Sequence, residues 1–421
     1  MEAIPSPAIF RRIDVLECAA EKPMTTSLVW LLAISGGCIV ANIYYVQPLL
    51  PDLARSFGLS VTKAGTVALM TQLGTALGML GIVPQGDIRE RRSLIVGLLV
   101  VASACLAAAA LSPNFIWLCA ASFTVGVTAA TNHVIVPMVA SLAPQRERGR
   151  YLGIVMSGVL MGILFSRTLS GFVNTYFGWR AIYWFASFVM LGVALVLRAR
   201  LPVNLPSAKL SWPELMKSIW GLARKHRQLR EAALLGALFF CAFSAFWTTM
   251  AFLLAGPPFH YDSSVAGMFG LVGAAGAAGA PLVGHLSDRY GCRRTIFVAL
   301  TITFLAFALM FAFQTSLLAL IVGVLLMDLG VQSGHVANQT RIYGLAADAR
   351  SRLNTVYMVA YFCGGAAGSL AGAACWQWAG WSGVCGFAMA ALLLAFLVFI
   401  RGRSHEQTDA VRLKEAISAC A

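Results

Sequence analysis

Long apolar runs broken by short polar turns set the pattern of this chain. Twelve runs of roughly 17–25 apolar residues can each cross a bilayer core as a helix. They centre near Ala41, Thr75, Ala102, Val125, Leu160, Leu191, Ala242, Ala275, Leu305, Val324, Ala366 and Leu392. The alternation of apolar and polar positions that marks strands is absent. Lipid offers no solvent to an unpaired backbone, so helices are the expected element. Several runs are Gly-rich rather than Leu-rich, which suits close helix packing in lipid. The pattern predicts an all-α membrane protein with twelve transmembrane helices.

Composition agrees. Of 421 residues, 59% are hydrophobic and 11% charged, where a soluble domain carries about a quarter charged. The mean hydropathy is +0.78. The net charge of +14 suggests nucleic acid until its placement is considered. With the N-terminus inside, the outer loops hold only Arg55, Lys63 and Arg180. The opposite loops and tails hold Arg89, Arg91, Arg92, Arg146, Arg148, Arg150, Arg350, Arg352, Arg401, Arg403 and the basic stretch 209–230. That asymmetry predicts cytoplasmic termini and a bilayer, not nucleic acid, as the partner of the cationic surface. Ten cysteines lie scattered, mostly inside apolar runs, as small packing residues rather than disulfides or metal ligands. The acidic residues and lack of a long apolar run in residues 1–23 argue against a cleaved signal peptide.

An internal repeat organises the spans. Sliding the chain by about 202 positions puts Ala64-Gly65 on Ala266-Gly267, His133 on His335, Arg150 on Arg352, Gly162 on Gly364 and Trp179 on Trp381. The expected organisation is an N-terminal segment 1–27, a six-helix bundle 28–198, a cytoplasmic linker 199–230, a second six-helix bundle 231–401 and a tail 402–421. In the linker, Leu215, Ile219 and Leu222 share one helical face. That face fits a short helix on the inner membrane surface, and a solvated linker is the alternative.

One polar stretch is specific. Gly284-His-Leu-Ser-Asp288-Arg289-Tyr-Gly291-Cys-Arg293-Arg294 falls between spans eight and nine. A partial copy with Asp87, Arg91 and Arg92 has Val83 and Glu90 at the two glycine positions. This segment resembles the loop signature of the major facilitator superfamily. NIYYVQPLL (42–50), FGWRAIYW (177–184) and NQTRIYGLAADARSRLNTVYM (338–358) resemble its bacterial efflux permeases. The resemblance runs from about residue 28 to 401 and implies two pseudo-symmetric six-helix bundles in a bacterial inner membrane. It further implies that Asp288 docks on the helix starting near Arg150 and Asp87 on the one near Arg352, so that the loops clasp the cytoplasmic mouth. The bland alternative is that these charges are orientation anchors.

A transporter of this plan binds cargo at mid-membrane, between its halves, where ionisable residues are costly and informative. Asp328 alone among the carboxylates sits deep in an apolar run. Asp328, Gln332, His335 and Gln339 lie on one helical face over about 16 Å. Thr128, Asn132 and His133 occupy the matching span four, Asn42 and Tyr45 span one, Trp247 and Thr248 span seven. By resemblance, spans one, four, seven and ten line the cavity. A carboxyl so placed is a candidate to take and release a proton as access alternates, with a structural ion pair as the alternative. His335 is a candidate relay or, as readily, a structural or cargo contact. Tyr44, Tyr45, Phe246 and Trp247 are candidate cavity aromatics.

Arg167 is the second anomaly, deep in span five. Antiporting relatives carry a Gly-Pro pair there, whereas this chain has Ser166-Arg167, which weakens the antiport inference. Arg167 fits an anion site, a carboxylate partner or a backbone tie. Gly153, Gly158, Gly162 and Gly171 leave tight packing against the other half open. Arg341 is expected to snorkel or cap a helix.

These features favour a monomeric secondary transporter, expected to export a small organic compound in exchange for protons. Uptake or facilitated diffusion of a sugar or organic acid is the alternative. No phosphate-binding loop, metal constellation or nucleophile–base pair appears, so neither an enzyme nor a cofactor is expected. About eighteen residues follow Arg403, too few for a signalling domain.

Overall fold

The computed structural model describes residues 24–204, 211–278, 291–346 and 349–420, with side chains up to Gly402. Every regular element among them is helical. Span one is Thr26–Tyr44, continued by a 3₁₀ turn Gln47–Leu49 and a short helix Leu50–Phe57. Spans two and three are Val61–Gly81 and Arg91–Ala110. Span four is broken into Phe115–Ala129 and Asn132–Leu142. Spans five and six are Arg148–Phe177 and Trp179–Arg200. After a linker helix, Trp212–Lys225, come span seven (Arg227–Ala255), the described part of span eight (Ser263–Ala278), nine (Cys292–Ala312) and ten (Leu317–Tyr343). The last helix, Arg350–Cys420, leaves helical geometry at Ala379 and Gly380 and so makes spans eleven and twelve. Among the described residues ten helices are long and apolar enough to cross a bilayer, the kink divides the last of them in two, and the described part of span eight is shorter.

Local chemistry sets the helix ends. The side chains of Thr25, Ser60, Asn114 and Ser316 each accept the N–H three residues on, at 2.9–3.4 Å. Glu90 accepts from the N–H groups of Arg92 and Ser93 at 2.8 and 2.7 Å, satisfying donors a helix start leaves bare. Gly178, at φ +78°, joins spans five and six without a loop, a conformation only glycine adopts freely. Pro48 cannot donate, and span one tightens around it. Pro137 removes the bond that the His133 carbonyl would receive in span four.

The same pairings recur in both halves. Span one packs on five, two on four and three on six; seven packs on eleven, eight on ten and nine on twelve. Gly162 lies against Gly37 of span one, and Gly364 lies against Ala237 of span seven. At both crossings a Cβ would meet the facing backbone, so glycine fixes the distance between axes. Across the seam, span two meets eleven and span five meets eight.

Large apolar side chains, among them Trp30, Ile34, Phe188, Leu195 and Leu397, face outward, as a lipid-facing surface requires. The linker helix buries Leu215 and Ile219 and starts with a Ser211–Glu214 capping box. The Ser211 hydroxyl and N–H donate to Glu214 at 2.6 and 2.8 Å and hold its carboxyl below the usual range. Arg352 donates to Ser218 of this helix, so the linker is docked against the spans.

Gly162→Val and Gly364→Val are each expected to cost about 1–3 kcal/mol through overpacking. Gly153→Ala, with nothing within 4 Å of the added carbon, is expected to stay within about 0.5 kcal/mol. Thermal unfolding of the purified protein in detergent checks this, and equal melting of all three variants would refute it.

Candidate functional site

Two charged side chains meet at the seam. Arg167 of span five and Asp328 of span ten are 2% and 3% exposed. Each lies roughly 15 Å from the end of the bundle that carries Gly178 and Ser316, at about 1.5 Å per residue, which is halfway through a core of about 30 Å. That end is called the far end here, and the end bearing the arginine clusters the basic end.

Arg167 is held without a carboxylate in contact. Its Nε donates to Gln47 Oε1 at 2.6 Å. Its guanidinium lies 4.0 Å from the Trp247 ring centre, 4.7 Å from Tyr44 and 5.8 Å from Phe243. Desolvated cation–π contacts of this kind are worth about 2 kcal/mol. Asp328 stands close enough to interact electrostatically with Arg167, yet no ion pair within 4.0 Å joins them. A Cβ added at Gly273 of span eight would lie 2.9 Å from Asp328 Oδ2 and 3.2 Å from Trp247 Cζ2. Trp247 thus neighbours both groups, with the guanidinium over its face and its Cζ2 bordering the same glycine as the carboxylate.

The site is under-satisfied. Arg167 Nη2, Trp247 Nε1 and Asp328 Oδ2 are buried with no hydrogen-bond partner, and so are Asn42 Oδ1 and Asn132 Oδ1. An unsatisfied buried group costs about 1–3 kcal/mol, so a cluster of them calls for an explanation. Among the described residues, no group of three or more His, Cys, Asp and Glu could hold a metal ion.

The remaining expected residues are distributed more widely. His335 Nδ1 is 3.0 Å from the Tyr357 hydroxyl, and its ring lies 4.7 Å from that of Tyr361. Gln339 donates to Asn354 at 3.1 Å. The span-ten stripe therefore turns from the seam at Asp328 to span eleven at His335 and Gln339, with half-buried Gln332 between. His133 is half-buried and interacts electrostatically with His335. Asn132 faces Gly36 of span one. Thr128 bonds its own helix at Val125, and Thr248 donates to Ser369 at 3.0 Å. Tyr45 offers its carbonyl to Ser170 at 2.6 Å. Phe246 packs between Trp247, Phe307 and Trp381, in the core rather than in a cavity. Residues that sequence reasoning passed over are Gln47, Phe243, Tyr361 and Gly273. Gln47 carried a signal, as a polar side chain inside the first apolar run.

At the basic end, Gly284, Asp288 and Arg289 lie outside the described residues. Gly291 opens span nine at φ +88°. Asp87 pairs with Arg91 of its own half at 3.3 Å. Arg91 also donates to the Gly86 carbonyl, Ser141 and Asn204, and Arg92 to the Arg198 carbonyl. Arg293 approaches Glu231 at 3.7 Å and donates to the Phe399 carbonyl at 2.6 Å, while Arg294 caps no described helix. Arg341, expected to snorkel or cap a helix, grips Glu231 through two bonds of 3.1 Å. Among the described residues, Gly158 and Gly162 pack on span one of their own half, Gly171 alone of the span-five glycines meets the other half, and Gly153 meets nothing.

The far end is closed across the seam. Asp52 Oδ2 accepts from Asn174 at 2.5 Å and from Ser263 of span eight at 2.6 Å. Thr62 donates to Gln377 of span eleven at 2.6 Å, and Thr168 to the Gly267 carbonyl at 3.0 Å. A cleft of about 210 Å³ lined by Asp52, Asn174, Ser263 and Ala266 lies above this closure.

Twelve apolar helices in a repeated arrangement, with charged groups opposed at mid-depth, define a polytopic membrane transporter. The Major Facilitator Superfamily matches residues 32–292 and 238–419, and the chain belongs to that family. It is 42% identical to the uncharacterized transporter YgaY of Escherichia coli O157:H7, over 91% of this chain and 98% of that one. It is 27% identical to a chloramphenicol resistance protein of Streptomyces lividans, over 62% of this chain and 66% of that one. A bacterial homolog of the human lysosomal transporter Spinster, in an inward-facing unoccupied conformation, superposes with a TM-score of 0.70 at 16% identity, covering 90% of this chain and 97% of that one.

Asp52→Ala is expected to loosen the far end, since hydrogen bonds to a charged group contribute about 1.5–3 kcal/mol. A cysteine placed at Ala266 should then react roughly tenfold faster with a thiol reagent applied from the far side. Unchanged labelling would show that Asp52 does not hold the closure.

Proposed function

We propose that this protein is a proton-coupled secondary exporter of a small organic compound, working by alternating access in a bacterial inner membrane with both termini in the cytoplasm. One observation carries the reading: a buried carboxylate with an unpartnered oxygen, Asp328, stands at the seam between the halves beside the cation Arg167. Asp328 takes a proton when the site opens to the far side and yields it to the cytoplasm when the basic end opens. Cargo takes the proton's place before the return. The arginine clusters at the basic end support the orientation. The bonds of Asp52, Thr62 and Thr168 across the far seam support a state closed to the outside. Likeness to a chloramphenicol resistance protein supports the direction.

His335 bonds Tyr357 and serves to position span eleven against ten; the cargo crosses chemically unchanged. The loop charges around Asp87 and Asp288 act as the switch at the basic mouth. The domain plan stays as set out above, a bundle at 28–198 and another at 231–401, and the functional unit is the monomer. A second reading draws on Arg167, which stands where antiporters carry Gly-Pro. A cation there also suits the uptake of an organic acid.

The test is flux in proteoliposomes under an imposed pH gradient. Wild type should accumulate cargo at least tenfold, as about 1.4 kcal/mol per pH unit allows. Asp328→Asn should lose gradient-driven accumulation and keep part of its exchange. Equal accumulation by the two proteins would reject the coupling role.

A further inference from the structure

The orphaned atoms at the seam are of two kinds. Two are donors, Arg167 Nη2 and Trp247 Nε1, and one is an acceptor, Asp328 Oδ2. We propose that Arg167 and Asp328, neighbours of Trp247 that make no ion pair with each other, form a two-point binding site for a zwitterion. The cargo's carboxylate lies against Arg167 and Trp247, and its ammonium against Asp328. This rests on the transporter reading above and specifies its cargo.

The donor count selects the class. A carboxylate has two oxygens for the two orphaned nitrogens, and an ammonium has the donor that Oδ2 lacks. A cargo with one charge fails on the opposite side. An anion alone meets Asp328 without a donor for it, and a cation alone meets Arg167 without an acceptor. Each case leaves a buried charge uncompensated, at a cost of several kcal/mol. A zwitterion brings no net charge into the membrane interior and pairs both groups.

The rest of the site fits the same cargo. The aromatic faces of Tyr44, Trp247 and Phe243 around Arg167 suit an apolar side chain beside the charged head, and an ammonium is attracted to such faces. Gly273 lets span eight lie close against Asp328, where a methyl would stand 2.9 Å from Oδ2. The cargo class is therefore an amino-acid-like zwitterion with an apolar side chain.

Equilibrium binding to the detergent-purified full chain tests this without any gradient, by isothermal calorimetry. The probes are phenylalanine, tryptophan and leucine, each with its methyl ester, which is only cationic, and its N-acetyl form, which is only anionic. At least one free amino acid should bind wild type tenfold or more tightly than both of its derivatives. Arg167→Gln should erase the preference over the ester, and Asp328→Asn the preference over the N-acetyl form. Arg167→Lys, which keeps the charge and guards against misfolding of the Gln variant, should retain the preference for the free acid. If none of the three amino acids binds, or if a singly charged form binds as well as its parent, the two-point site is wrong. If binding is as expected but Asp328→Asn still accumulates cargo like wild type, the coupling reading fails and the site stands.

Discussion

A charge at mid-membrane must be compensated by something in the protein. Arg167 meets that demand in parts: it donates to Gln47 and to the Ile163 carbonyl, lies against three aromatic faces, and feels the field of a carboxylate it does not touch. Full ion pairing would satisfy both charges and leave the site inert. The two stay apart, with no ion pair within 4.0 Å and Trp247 neighbouring both. The seam is consequently near neutral as a whole and unsatisfied in detail. Such a balance persists only where packing over-determines it, and spans five, seven, eight and ten all converge here.

The two halves share a scaffold but not a site. The shift that superposes His133 on His335 and Gly162 on Gly364 puts Arg167 on Ser369 and Asp328 on Gly126. Ser369 accepts a bond from Thr248, and Gly126 lies tight against the backbone of span two. Each charge therefore faces a structural residue in the other copy. The repeat supplies a symmetric pivot of glycine crossings, and the departures from it supply the chemistry. The arginine nodes at the basic end keep the symmetry: Arg91 and Arg293 occupy equivalent positions, and each ties its own half together. Those cations hold the bundles rigid, which is what a rocking motion between bundles requires.

Hydropathy alone made the spans legible, because lipid permits little besides helices and their length is fixed by the bilayer. Asp328 and Arg167 stood out for the same reason, as charges where charge is expensive. Which faces meet was not legible. Helical spacing put Asp328 and His335 on one stripe, but span ten passes two different neighbours, so one residue reaches the seam and the other Tyr357. Phe246, one position from Trp247, points into the core. Glu231 looked like a span-end charge, and its role appears only when Arg341 folds back to it. Gly273 gave no signal, since one glycine in a glycine-rich span is distinguished only by what stands opposite.

The far closure and the central site act on one motion. Asp52, Asn174 and Ser263 join spans one, five and eight at the far end, and Arg167 and Gly273 belong to spans five and eight as well. Any separation of five from eight that frees Ser263 also moves Arg167 relative to Gly273 and so reshapes the space around Asp328. Cargo that bridges Arg167 and Asp328 spans the same seam from within and resists that separation. A neutral zwitterion exchanged for one proton moves one charge per cycle, so the membrane potential adds about 2.3 kcal/mol per 100 mV to the pH term. On the proposed site, export would therefore be driven by voltage as well as by pH, because the cargo itself carries no net charge across.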